Sequence, residues 1–198
     1  MTSLGEKVLM LHLCLEQRGI PHAMGGAIAL AYAVEQARAT NDVDINVFVS
    51  REYVDDVLAA LPQGVRVRPT DADVLRRDGQ ARLRWDDNPI DLFLSTVPLH
   101  DAAATRTRSV PFERGTIPVL APTDLAVCKS LYGRGKDWVD IESMRDAGTI
   151  DVPEALRWVE EMLGRDHPNF TRLHEILTAA PRSPADGDPF PPAMRPSP

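Results

Sequence analysis

Two cysteines, Cys14 and Cys128, are all that this 198-residue chain holds, and no C-x-x-C pattern joins them. That scarcity excludes a disulfide framework and a cysteine-built zinc site. The five histidines, His12, His22, His100, His167 and His174, show no H-E-x-x-H or related ligand spacing, so each is expected to be structural or exposed. No apolar run approaches eighteen residues, and no charged-then-apolar leader stands ahead of a small-residue cleavage site. A membrane partner is therefore not expected, and a cytoplasmic location is. Lysine is rare too, with three against nineteen arginines. Internal repeats are missing.

What remains is enough for a sizeable core: 43% of residues are hydrophobic, which suits one domain or one domain with a helical appendage. The net charge of −7 gives the whole surface no general pull on polyanions. The charge is uneven, however. Arg66, Arg68, Arg76, Arg77, Arg82 and Arg84 fall within nineteen residues that hold three acids, Asp71, Asp73 and Asp78. Alternation in Ala81-Arg82-Leu83-Arg84-Trp85 puts Arg82 and Arg84 on one strand face, either a solvated face or a stripe that follows a phosphate backbone.

The chemistry concentrates earlier. From Asp42 to Ser50 the residues alternate, with Val43, Ile45, Val47 and Val49 on one parity and Asp42, Asp44 and Asn46 on the other. Side chains change face at every strand residue, so Asp42 and Asp44 project together. Two adjacent carboxylates repel unless a cation lies between them, either Arg38 or Arg51 or a magnesium ion, which prefers hard oxygen ligands. Sixteen residues before Asp42 ends the pair Gly25-Gly26, followed by the apolar stretch Ala27 to Val34. Alone this is a tight turn; ahead of a helix it is also a cradle for phosphate, because bare backbone and helix dipole favour an anion. A second strand, Pro89 to Leu94, carries one acid, Asp91, which either ends the strand in solvent or completes a set of three carboxylates. In such a set one metal activates an attacking hydroxyl while another holds a triphosphate, and Asp91 shares the first metal or takes the proton.

These residues resemble the polymerase-beta-type nucleotidyltransferase fold: Gly25-Gly26, then Arg38-x-Thr40-x-Asp42-x-Asp44-Ile45, then Ile90-Asp91-Leu92. The segment Pro122 to Ile141, with Leu125, Lys129, Arg134, Lys136-Asp137 and Asp140, is similar to the helix pair of the abortive-infection and mycobacterial nucleotidyltransferase toxins. The four blocks occur in the family's order across roughly residues 20 to 147. Many members carry Gly-Ser where this chain has Gly-Gly, so a serine contact to phosphate is absent here.

The resemblance implies a toxin that uses two Mg2+ ions and a nucleoside triphosphate to extend the 3′ acceptor end of tRNA, which blocks aminoacylation. It also implies a cognate antitoxin, in some members a kinase acting on the hydroxyl residue two places before the first metal aspartate, held here by Thr40. Asp42, Asp44 and Asp91 are then the metal ligands, and Gly25 and Gly26 receive the triphosphate. Lys129 and Lys136 are compact charges able to contact that triphosphate, with Asp140 orienting them; solvated surface lysines are the plain alternative. Two other functions stay open: an antibiotic nucleotidyltransferase acting on an aminoglycoside or lincosamide, or a catalytically silent binding module.

Along the chain, Ser3-x-x-Glu6 predicts a capped helix to about Arg18, then the glycine turn, a helix near 26–36 and the strand 43–49. A helix near 51–60, a short helix at 71–77 and strands near 65–68, 81–85 and 90–95 follow. Alternating helices and strands predict an α/β (α+β) architecture, a mixed sheet flanked by helices, over residues 1–120. Helices near 123–132, 136–147, 153–163 and 168–179 predict a C-terminal bundle over 121–180. Glycines at 133 and 135 predict a break between the first two. Seven prolines among residues 181–198 predict a flexible tail.

Overall fold

A computed structural model describes residues 2–36 and 38–180. The proline-rich stretch 181–198 lies outside them. Helix α1 (Leu4–Gln17) begins at the predicted capping box: Glu6 N–H donates to Ser3 Oγ at 3.2 Å, and Ser3 N–H donates to the Glu6 carboxylate at 2.8 Å. Val8, Leu11 and Leu15, spaced three and four apart, are fully buried on one face. Strand β1 (His22–Met24) leads through Gly25 into α2 (Gly26–Ala33). This second helix is apolar along its length, and Ile28, Ala29, Leu30 and Ala33 are its buried residues. It stops at Ala33, short of the predicted end, and Glu35 just beyond adopts φ 54°.

The chain continues through β2 (Val43–Val47), a 3-10 turn at Arg51–Tyr53, α3 (Val54–Ala60), β3 (Val65–Arg66), α4 (Asp71–Asp78), β4 (Gln80–Trp85) and β5 (Asn88–Leu94). Then come α5 (Pro98–Arg106), β6 (Arg108–Phe112), β7 (Gly115–Val119), α6 (Pro122–Tyr132), α7 (Gly135–Asp146), α8 (Val152–Leu163) and α9 (Pro168–Thr178). The described residues form a seven-stranded mixed sheet in the order β3-β4-β5-β2-β1-β7-β6. Strands β2 and β5 run parallel, as do β1 and β7, and the other pairs are antiparallel. The α/β sheet flanked by helices is as the sequence predicts. Strands β1, β6 and β7 and helix α5 are not. Three buried residues give β1 no alternation to read.

Burial on one face of the sheet decides what stands on the other. Val43, Ile45 and Val47 of β2, with Ile90, Leu92 and Leu94 of β5, are at most 1% exposed. Each such side chain contributes about 1.5–3 kcal/mol by leaving water. Their commitment forces Asp44, Asn46, Asp91 and Phe93 onto the opposite face. Helix α2 packs against β2, α6 and α7, and α6 in turn packs against α8 and α9. Gly133, at φ 60°, ends α6 and makes the predicted break before α7. Asp124 of α6 is fully buried and pairs with Arg106 of α5, which also reaches Glu154 of α8 at 3.3 Å. No helix among the described residues is long and apolar enough to cross a membrane.

Candidate functional site

Register places the acids. Parallel pairing of β2 with β5 sets Asp44 beside Asp91, and antiparallel pairing of β4 with β5 sets Arg82 beside Asp91. A row Arg82–Asp91–Asp44 therefore crosses three strands on the face away from the aliphatic core. Asp42, one residue ahead of β2, shares the parity of Asp44. Above the row lies a cleft of about 580 Å³, lined by Asp42, Asp44 and Asp91 together with Gly26, Thr40, Lys129, Lys136 and Asp140. All the predicted site residues except Gly25 open onto it.

Gly25 serves the turn instead. It caps α2, and its N–H donates to the Asp44 carbonyl at 2.8 Å. A Cβ there would lie 2.7 Å from the side-chain nitrogen of Asn46. Gly26 is under a stricter demand: φ is +50°, and a Cβ would sit 1.8 Å from Asp44 Oδ2. Only a residue without a side chain lets the Asp44 carboxylate lie against the start of α2. The first N–H groups of that helix have no acceptor within it, which suits an anion.

Arg82 already engages two of the acids. Arg82 Nε and Nη2 donate to the two carboxylate oxygens of Asp91 at 2.7 and 2.6 Å, and Nη2 lies 3.8 Å from Asp42. Among the described residues, no three histidine, cysteine or acidic side chains gather tightly enough to hold one ion. Asp44 has no such partner among the described residues. Burial lifts its pKa above the usual carboxylate range; the charges of Asp91 and Asp42 add to this, and Lys129 and Lys136 partly offset it.

The cations on the helical side divide into held and free. Buried Lys129 donates to Asp140 at 2.7 Å and lies 3.6 Å from Asp137. Arg38 pairs with Asp140 from the opposite side, not with the metal-type acids that the sequence offered it. Arg134 donates to Asp137 at 2.7 Å. Burial raises the pKa of Asp137, but Arg134 and Lys129 together bring it below the usual range. Lys136 is exposed and has no hydrogen-bond or ion-pair partner among the described residues. Thr40 Oγ1 donates to the Asp42 carbonyl at 3.1 Å and accepts from the Asp42 N–H at 3.2 Å, which fixes the loop into β2.

Arg82 facing Asp91 is the residue pair that the sequence analysis misses, although a signal exists. Asp86-Asp87 forms a two-residue turn, with Asp86 at φ 51°, that sets Trp85 against Asn88. Counting back along both strands from that turn brings Arg82 to Asp91. Of the six clustered arginines, Arg68, Arg76, Arg77 and Arg82 are paired with acids. Arg66 and Arg84 are register partners on β3 and β4, both exposed, and neither has an ion-pair partner among the described residues.

No protein-family model matches the chain, and no curated protein matches it either. Solved structures do. The solution structure of the antibiotic-resistance factor ANT(2'')-Ia superposes with a TM-score of 0.59 at 13% identity, over 81% of this chain and 91% of that one. This chain has the nucleotidyltransferase fold. A crystal structure of an antigenic nucleotidyltransferase-like protein from Paracoccidioides brasiliensis is also similar, with a TM-score of 0.47 and 17% identity over 89% of this chain and 94% of that one. The row of acids lies beneath the start of α2, in the cleft that also holds Lys129 and Lys136.

Proposed function

We propose that this chain is a magnesium-dependent nucleotidyltransferase toxin that transfers a nucleotide from a nucleoside triphosphate to the 3′ end of tRNA. The supporting observation is the single cleft shared by three carboxylates, the exposed Lys136 and the free N–H groups of α2. The donor set fits the metal. Asp42, Asp44 and Asp91 are hard oxygen ligands, and the negative charge around Asp44, which Lys129 and Lys136 offset only in part, is what a divalent cation neutralises. Bound there, magnesium would supply Lewis-acid charge at the reacting phosphate.

The chain's own residues do the rest. The α2 N-terminus and Lys136 bind the triphosphate, while Lys129, held by Asp140 and Asp137, adds a fixed charge beside it. The acceptor 3′ oxygen attacks the α-phosphorus, the bond to the bridging oxygen breaks, and pyrophosphate leaves. Asp91 accepts the hydroxyl proton after Arg82 has released it. Arg84 and Arg66 extend from the cleft toward the β3 edge and suit a phosphodiester backbone.

Thr40 is the proposed target of a kinase antitoxin. A phosphate beside Asp42 adds roughly two negative charges to the site and repels both metal-bound triphosphate and the carboxylates. Mass spectrometry of protein co-expressed with its antitoxin should find modified Thr40; unmodified, fully inhibited protein would contradict that partner.

Two observations favour other functions. The similarity to an antibiotic-resistance factor favours a small-molecule acceptor. The Arg82–Asp91 pair favours a silent module. Incubating the protein with α-labelled triphosphates, Mg2+ and total tRNA, with and without aminoglycosides, separates all three. Label on RNA is the expected result; label on the drug alone, or none at all, would overturn it.

A further inference from the structure

A second recess of about 280 Å³ opens off the cleft and shares Gly26, Asp44, Lys129 and Arg134 with it. Its floor is the next register row of the sheet, where Asn46 of β2 pairs with Phe93 of β5. One wall is aromatic: Phe93 meets Tyr132 edge to face at 6.4 Å between ring centres. Tyr132 is fixed by its hydroxyl, which donates to Gln80 at 2.8 Å. Leu120, Leu125, Leu131 and Met162 supply apolar surface. Its charged residues, Asp44, Lys129 and Arg134, are those it shares with the cleft, and the rest of its lining is mostly apolar or aromatic.

Its polar group is unusual. Asn46 is 7% exposed, yet its side-chain amide has no hydrogen-bond partner among the described residues. Its amide atoms are not sealed from solvent, so they keep an open donor and an open acceptor toward the space beside them. Asn46 lines the recess, so the space it faces is where a partner can sit. His100 lines the same space. Its Nδ1 accepts from the backbone N–H of Thr96 at 3.2 Å and of Val97 at 3.3 Å, which leaves the ring proton on Nε2 as a donor. Burial holds the pKa of His100 below the usual range, so the ring stays neutral near pH 7.

We infer that this recess takes the nucleobase of the incoming triphosphate, and that Asn46 determines which base is preferred by hydrogen bonding to its edge. The inference rests on the proposed nucleotidyl transfer and adds a site for selectivity to it. A planar heteroaromatic ring matches the aromatic wall, and its mixed donors and acceptors match an amide that offers one of each. Position argues the same way. The triphosphate belongs with the cations of the cleft, and the recess joins that cleft at Asp44 and Gly26, one register row away. The acceptor has its own approach, along Arg82 and Arg84.

The test is direct binding, without RNA, of each of the four nucleoside triphosphates and of inorganic tripolyphosphate, all with Ca2+, measured by calorimetry. Wild-type protein should rank the four bases and bind tripolyphosphate more weakly than the best of them. Asn46→Ala should weaken the preferred nucleotide about tenfold, the loss of one or two hydrogen bonds to its side-chain amide. It should also draw the four affinities together and leave tripolyphosphate binding unchanged, which shows that the variant is folded. An unchanged ranking in Asn46→Ala would overturn the assignment. So would wild-type affinities equal for all four nucleotides and tripolyphosphate, which would leave the base to the acceptor strand while nucleotidyl transfer stands. Absence of any binding, tripolyphosphate included, would remove the proposed transfer itself.

Discussion

At the scale of single residues, Arg82 is the strongest constraint on the site. Both of its donors engage Asp91, and a divalent ion that uses Asp91 must displace it. The side chain is 61% exposed, so the pair contributes at most about 1 kcal/mol. Arg82→Gln is expected to bind Mn2+ about two- to fivefold more tightly than wild type by paramagnetic relaxation, consistent with that range. Arg84→Gln, with the same charge change but no contact to the acids, should differ little from wild type. Gly26 makes a second case. In Gly26→Ala the left-handed backbone costs about 1–2 kcal/mol, read as a lower denaturant midpoint. The new methyl group would also displace Asp44, and transfer activity should fall on the order of 100-fold.

His22 offers a test by pH. Its Nδ1 bonds to the Ile20 carbonyl at 2.7 Å, its Nε2 meets His12 Nδ1 at 2.9 Å, and Glu16 stands 3.7 Å beyond His12. Burial, outweighing its bond to Ile20, holds the folded pKa of His22 below that of an exposed histidine, and His12 adds to the lowering. Above about pH 6.5 both the folded and unfolded forms are neutral and nothing changes. As pH falls below that value the unfolded chain gains a proton that the folded chain refuses, so stability drops by up to about 1.4 kcal/mol per pH unit. Urea denaturation at pH 8 and pH 5.5 checks the sign, and His22→Gln should flatten the difference.

At the scale of elements, the helices and strands with a clear period are legible in the sequence, and the connections that position the site are not. The Ser3–Glu6 box, the alternation of β2 and the glycine break between α6 and α7 are all local signals. Bringing Lys129 and Asp140 together across that break is not local, because it depends on how α7 folds back on α6. Helix α5 is hidden because its short apolar face, Leu99 and Ala103, shows little periodicity. Its role is to carry Arg106 to the fully buried Asp124, and the bond reaches across from α5 to α6. Arg106→Met leaves that carboxylate without its partner and should cost about 3 kcal/mol in denaturant unfolding, as breaking a buried pair does. A loss under 0.5 kcal/mol would mean that the pair does not anchor the helices.

At the scale of the whole molecule, an acidic chain with net charge −7 places one exposed lysine without an acidic partner, Lys136, at the cleft and two such arginines, Arg66 and Arg84, at one sheet edge. Clustering in the sequence overstates this, since acids neutralise four of the six arginines between Arg66 and Arg84. The free pair, Arg66 and Arg84, should still shape RNA affinity. Replacing both with alanine is expected to weaken binding for all tRNAs alike and to reduce the salt slope by about 1–2.

Transfer itself gives the most direct measurement: an α-labelled triphosphate, Mg2+ and tRNA, with wild-type protein and Asp44→Asn compared at matched melting temperatures. Label should appear at the RNA 3′ end with wild type, with equimolar pyrophosphate, and fall by about 100-fold or more when the central carboxylate is neutralised. Equal labelling by both proteins would contradict the place of the Asp42–Asp44–Asp91 row at the centre of this molecule's chemistry.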